Sequence, residues 1–278
     1  MINQANSASF MHIPPALVDA VRTFAGPSID AAIVLGSGLG AFAQTVAVID
    51  SLSTSDIPEY PASTIVGHEG RLILGTAHGQ RLLLFQGRVH GYEGYDIGLT
   101  ALPAALAAAL NARMLLVTNA AGGLDPSFVA GDLMLITDLL VLPAARRMGS
   151  DFQGRGSADT PLPRPLFDPE LLDRARSAAA DAGIRLREGT YGFCSGPTYE
   201  TRAEIAFFRH AGVHAAGMST AAEIITAARA ALPTVAISCI TNVARTVRQK
   251  VTHEEVTSVA AQASDDLARF VHAVLRRM

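Results

Sequence analysis

The segment FQGRVHGYEGY sets Arg88, His90 and Tyr92 at alternate positions among glycines. Alternate residues of an extended segment share a face, so Arg88 and His90 point the same way. A guanidinium offers a planar fork of donors that suits phosphate. An imidazole can donate to an anion or ligate a metal. His68, in GHEGRL, supplies a further donor. No cysteine or acidic ligand set accompanies His68 and His90, which argues against a metal site. Any one of these histidines taken alone is more often a hydrogen-bonded structural side chain. The glycine-flanked trio weighs against that reading.

AAIVLGSGLGA carries Gly36, Gly38 and Gly40 after an apolar run. Gly36 to Ala41 match the GxGxxA form of the dinucleotide fingerprint, and Asp50 ends the strand-like run TVAVID. A parallel crossover needs at least ~10–12 residues, and the stretch from Gly40 to Val46 has no room for one. The glycines fit better as a loop whose N–H groups approach a phosphate, with Ser37 adding a hydroxyl. A plain tight turn remains the ordinary alternative.

A second set of groups suits a flat heterocycle and a sugar. FCSGPTYETRAE places Tyr199, which can stack on a base, and Glu200, which can accept from a purine N1–H. A glutamate there also suits a helix start on dipole grounds alone. AGMSTAAE offers Met218 against a sugar face and Ser219 as a hydroxyl donor at a helix start. Met218 by itself would be core filler. Asn242 follows the buried run AISCIT, and a carboxamide there can donate and accept. The small residues of VTNAAGGL would let a ligand touch backbone; a glycine-requiring turn is the alternative.

These groups need strand ends and helix starts to carry them. Pro15 and Gly26 bracket a short helix over Ala16 to Phe24. Ala31 to Leu35, Met114 to Thr118, Leu133 to Ile136 and Thr234 to Ile240 read as buried strands. Leu72 to Leu74 and Leu82 to Phe85 suggest a hairpin across His78-Gly79-Gln80. Helices are expected over Ile97 to Ala112, Asp168 to Ala182, Thr201 to Ala211 and Ala221 to Ala231. Thr252 and Glu255 form a capping box for a last helix carrying Val256, Val259, Ala263, Leu267, Phe270 and Val274. The Leu142 to Pro169 stretch is too long for an ordinary connection.

Alternating strands and helices predict an α/β fold with a mixed, mostly parallel twisted sheet flanked by helices in three layers. Ligands of such folds bind beyond the carboxyl ends of strands. No linker divides the 278 residues, so one domain over 1–278 is expected. Net charge is −3, which lacks the footprint of a nucleic-acid binder. Two cysteines, Cys194 and Cys239, make no disulfide framework. The N-terminus lacks signal-peptide features. Leu99 to Leu110 is too short to span a bilayer. A cytoplasmic protein with no membrane association is expected.

GSGLG, GRVHGYEGY, VTNAAGGL, GPTYET, GMST, ITN and HEEV occur in that order over about Ile33 to Phe270. In these motifs the chain resembles the trimeric purine nucleoside phosphorylases. The resemblance implies phosphorolysis of purine nucleosides by a pentosyltransferase of purine salvage, with phosphate as co-substrate and no metal or organic cofactor. It implies that Ser37, His68, Arg88, His90, Ser219 and the backbone N–H of Ala120 hold phosphate. Tyr92, Met218 and His253 would contact ribose, and Tyr199, Glu200 and Asn242 the base. His90, Glu200 and Asn242 would act directly in catalysis, and the assembly would be a homotrimer.

A sister group acting on methylthioadenosine typically has aspartate where this chain has Asn242, so Asn242 favours 6-oxopurines. The chain departs from the family pattern at Ala222, where proline is common, and at Val243, where lysine is common. Relatives also extend an aromatic from the 142–169 region to a neighbour's ribose site; Phe152 and Phe167 are the candidates. The rival classes are a nucleotide-dependent oxidoreductase, which needs the missing crossover helix, and a non-catalytic nucleoside binder, which would need no Arg88/His90 clamp.

Overall fold

The computed structural model describes residues 13–26, 28–65, 69–142, 165–244 and 253–278, with His253 described in backbone only. Ala31–Leu35 is apolar throughout and forms β1, buried at every position. Successive side chains of a strand face opposite ways. Ile33 and Leu35 accordingly enter one core, and Ala32 and Val34 enter another. β1 lies between two parallel partners, β4 (Gln80–Gln86) and β5 (Met114–Gly123). A near-continuous apolar run is what a strand covered on both faces requires.

Helices complete the layers. α1 (Pro15–Ala25) and α2 (Leu102–Ala109) bring Leu17, Val21, Leu102 and Leu106 onto Val34, Phe85 and Val117. On the other side, α3 (Pro169–Asp181) shares a core with Ile33, Leu116 and Ile237 through Leu172 and Ala175. The C-terminal helix α7 (Ser264–Arg276) joins that core through Leu267, Phe270 and Val274. α4 (Arg202–His210) opens with the capping box of Thr201 and Glu204. α5 (Ala221–Arg229) is buried from Ala221 to Ala227, and α6 (His253–Gln262) precedes α7.

The remaining strands are β2 (Ala47–Ser53), β3 (Arg71–Ala77), β6 (Leu133–Val141), β7 (Leu186–Phe193), β8 (Val213–Gly217) and β9 (Thr234–Val243). The sheet order is β2-β3-β4-β1-β5-β8-β7-β6-β9, and β5 also pairs with β9. That extra pairing joins β5, β8, β7, β6 and β9 into a closed ring, which removes one sheet edge. The sheet is mixed and covered by helices on both sides, as expected. β1, β4, β5 and β9 are linked by parallel pairings. β8 meets β5 antiparallel at Gly122–Ala216 and Gly123–Ala215, so the carboxyl ends of the two strands face each other.

Four details differ from the sequence reading. Strands β7 and β8 were not expected: LREGTYGF is interrupted by glycine, and VHAAG is short. The helix expected over Ile97 to Ala112 is a 3-10 turn, Leu99–Ala101, leading into Leu102–Ala109, with Pro103 in its first turn. Proline fits the start of a helix and not its interior. The last helix is two, α6 and α7, divided at Ala263. Phe167 is buried in the chain's own core beside Leu172, so it is a packing residue and not a reach toward a neighbour. Phe152 and most of the Leu142 to Pro169 stretch lie outside the described residues, as does Thr252.

Candidate active site

Ten of the twelve residues singled out in the sequence line one cavity. They are Ser37, Arg88, His90, Tyr92 and Ala120, together with Tyr199, Glu200, Met218, Ser219 and Asn242. His68 and the side chain of His253 lie outside the described residues. The cavity sits where the carboxyl ends of β1, β4, β5 and β9 meet that of β8, which is where α/β folds place ligands.

At one end, Arg88 is buried, at 6% exposure. Its Nη1 donates to Glu223 Oε2 at 2.8 Å and to Thr220 Oγ1 at 3.0 Å, and its Nη2 donates to the Thr118 carbonyl. Glu223 is wholly buried; burial pushes its carboxyl above the ordinary range, and the Arg88 guanidinium pulls the other way. Arg88 therefore reaches the cavity wall as a cation fixed by three partners. Thr220 receives a second donor, Asn119 Nδ2 at 2.9 Å, and lies 3.2 Å from Ser219 Oγ. Thr220 adopts φ +73° although it is β-branched, a conformation that costs of order 1–3 kcal/mol and clusters at functional sites.

His90 is held from behind. Its Nδ1 lies 2.9 Å from Glu93 Oε1, which also accepts the His90 backbone N–H at 2.8 Å. Thr64 donates to the same carboxylate through its backbone N–H at 2.6 Å and its hydroxyl at 3.0 Å. Burial alone would raise the Glu93 carboxyl, but these donors hold it below its ordinary value. An ionised Glu93 keeps the proton on His90 Nδ1 and orients the ring. Tyr92 stacks on that ring at 4.8 Å. Burial, then the charge of Glu93, pushes the Tyr92 phenol up to about 12, so it stays a neutral hydroxyl.

The other end is looser. Tyr199 is 48% exposed. Glu200 lies beside the Cys194 thiol, which burial and this carboxylate push well above the usual thiol range. Asn242 Oδ1 accepts from Thr241 Oγ1 at 3.2 Å. The Gly122 backbone lies beside the Asn242 carboxamide.

The glycine loop does more packing than the sequence suggested. A side chain at Gly36 would sit 2.7 Å from the Thr118 carbonyl and 2.9 Å from Asn119 Cα. One at Gly38 would meet Ala260 Cβ at 2.7 Å, and its φ of +75° also favours glycine. These two glycines thus let β1 close on β5 and let α6 close on the loop, while Ser37 lines the cavity. The segment after Gly40 is a 3-10 helix, Gly40–Thr45, followed by β2, which is antiparallel to β3. No crossover helix follows the loop, which removes the dinucleotide reading.

Asn119, Thr220, Glu223 and Glu93 belong to the site although sequence reasoning did not name them for it. Three sit inside or next to the motifs VTNAAGGL and GMST, and Glu93 lies inside GRVHGYEGY. Their signal was a polar residue within a motif; their partners became visible only in three dimensions. Among the described residues, no group of three or more His, Cys, Asp or Glu is placed to hold a metal. No helix among them is long and apolar enough to cross a membrane.

Known proteins resemble this chain over most of its length. Residues 30–276 match the model of the phosphorylase superfamily. The chain is 39% identical to purine nucleoside phosphorylase 1 of Geobacillus stearothermophilus over 255 residues, covering 88% of this chain and 90% of that protein. It is 36% identical to the purine nucleoside phosphorylase of Bos taurus, covering 88% and 87% of the two chains. Among solved structures, a schistosome purine nucleoside phosphorylase in complex with hypoxanthine superposes with TM-score 0.82 at 30% identity, covering 94% of this chain and 95% of that one. The Schistosoma mansoni enzyme in complex with adenosine matches equally well.

Proposed function

The chain belongs to the phosphorylase superfamily and, within it, to the purine nucleoside phosphorylases, and from that membership we propose how its own cavity works. It converts 6-oxopurine nucleosides such as inosine and guanosine, with ribose or deoxyribose, and phosphate to the free base and the α-sugar 1-phosphate. The carrying observation is that anion donors and base-recognition groups line one cavity. The physiological role in this reading is purine salvage in the cytoplasm. The assembly is a homotrimer, and phosphate is a co-substrate in a reaction that uses no metal or organic cofactor.

Each end has a task in the displacement. As the glycosidic bond lengthens, the sugar becomes oxocarbenium-like and the purine gains negative charge, much as in glycoside hydrolysis. Ser37, Arg88, His90, Ser219 and the Ala120 N–H hold phosphate below the anomeric carbon, with His68 as a further ligand. Phosphate is already a competent nucleophile, so positioning supplies much of the acceleration. Tyr92, Met218 and His253 seat the sugar. Tyr199 stacks on the base, Glu200 accepts from N1–H, and Asn242 donates to N7, where fixed donors stabilise developing charge.

The preference for a 6-oxo group rests on Asn242, whose carboxamide can donate to the base as well as accept. The adenosine complex of the schistosome relative makes the 6-position the choice to test. Incubating the protein with inosine, with and without phosphate, tests the reaction. Hypoxanthine release that requires phosphate supports it; release without phosphate, or none at all, refutes it. Adenosine in place of inosine then reads the preference: equal turnover of the two would remove the 6-oxopurine assignment.

A further inference from the structure

The geometry points to Thr220 as a positioning residue that donates to Ser219 and so leaves the Ser219 hydrogen available for the phosphate. This rests on the reading of that end of the cavity as a phosphate site. A hydroxyl has one hydrogen and two lone pairs. Both lone pairs of Thr220 Oγ1 face donors: Arg88 Nη1 at 3.0 Å and Asn119 Nδ2 at 2.9 Å. A guanidinium cannot act as an acceptor, so the Thr220 hydrogen must go elsewhere. Among the described residues its one other hydroxyl partner is Ser219 Oγ, at 3.2 Å.

If Ser219 donated instead, Thr220 would face three donors with two lone pairs, and its own hydrogen would have no acceptor. The bond therefore runs from Thr220 to Ser219. Besides Thr220, the Tyr191 hydroxyl lies beside Ser219. Its own hydrogen is thus not spent on Thr220 and is available to a ligand in the cavity that Ser219 lines. Arg88 begins this chain as a cation, and polarised hydrogen bonds in a buried chain strengthen one another. Glu223 completes the arrangement by fixing Arg88 at 2.8 Å.

The device accounts for an expensive backbone. Thr220 is 2% exposed and adopts positive φ, where glycine would be less strained. Glycine would not supply a hydroxyl at this point. The opposite orientation of the Asn119 amide is the competing arrangement. It would give the Thr220 hydrogen to Asn119 Oδ1 and leave Ser219 free to donate to Thr220.

A double-mutant cycle on the intact enzyme distinguishes the two arrangements, with the phosphate KM and the inosine KM both measured. Ser219→Ala should raise the phosphate KM about tenfold, the worth of one hydrogen bond to a charged group. Thr220→Val should raise it by a similar factor and leave the inosine KM within about twofold, and adding Ser219→Ala should raise it little further. Thr220→Ser should restore the phosphate KM to within about twofold, because it returns the hydroxyl. If Thr220→Val does not fold, Thr220→Ala is read by the same cycle.

Multiplying effects of the two substitutions would overturn the inference, as would a normal phosphate KM in the Thr220 variant alongside a raised one in Ser219→Ala. A Ser219→Ala enzyme with unchanged phosphate KM would instead overturn the phosphate reading of Ser219, and the inference with it.

Discussion

At the phosphate end, Arg88 is buried among Glu223, Thr220 and the Thr118 carbonyl, and His90 is pinned by Glu93. At the base end, Tyr199 is 48% exposed and Asn242 receives one side-chain hydrogen bond. The first is a buried polar network whose members hold one another, so it belongs to the fold as much as to the reaction. The second is a set of contacts placed by strand and helix ends and left open to a ligand. The contrast teaches that substitution at the phosphate end should cost stability and activity together. Substitution at the base end should change selectivity with little effect on folding.

The largest expected effect is that of Arg88→Ala. It leaves Glu223 buried and uncompensated, and breaking a buried pair in this way costs about 3–5 kcal/mol. Urea unfolding should show that loss, and phosphate-dependent turnover should collapse. The joint change Arg88→Met with Glu223→Leu should recover most of the stability without recovering turnover. If Arg88→Ala unfolds like the parent protein, the phosphate end is not part of the fold's support and the contrast fails.

Next in size is Asn242→Asp. A carboxyl group can accept from a 6-amino group, so the ratio of adenosine to inosine turnover should rise roughly tenfold or more. Its unfolding midpoint should stay close to that of the parent protein. An unchanged ratio would contradict the account of base recognition.

A smaller effect belongs to Glu93. Its carboxyl is held below the ordinary value in the folded protein. The stability this contributes is present above the unfolded-state value and is lost as pH falls through the folded-state value. Glu93→Gln should therefore be less stable than the parent at neutral pH, with the gap closing in acid. A gap of constant size in a pH series of unfolding curves would show that the carboxylate's charge is not what matters. Smallest is Tyr199→Phe, which should change stability by less than about 0.5 kcal/mol because half the side chain is already in solvent. A larger drop in thermal unfolding would show that the base end is more integrated than its bonding suggests.

Much of this contrast was legible in the sequence, but unevenly. The apolar runs of β1, β5 and β9 announced buried strands, and the motifs along the chain contained ten residues that do share one cavity. β7 and β8 were hidden because glycine and alanine blur the period-two pattern. Closure of the ring through the β5–β9 pairing leaves no local trace. The base-recognition residues could be picked by chemical type alone. The partners at the phosphate end could not: Glu223 lies 135 positions from Arg88, and Asn119 lies 101 from Thr220. Pairings over such separations come from the fold and not from spacing. Phe167 shows the opposite failure, an aromatic whose type suggested a ligand and whose place is the core.

Calorimetric titration of inorganic phosphate into the protein without nucleoside tests the division between the two ends most directly. A prebuilt phosphate end predicts saturable binding to the protein alone, with the same affinity in Asn242→Asp. Phosphate that binds only after nucleoside is added, or that is lost in Asn242→Asp, would contradict it.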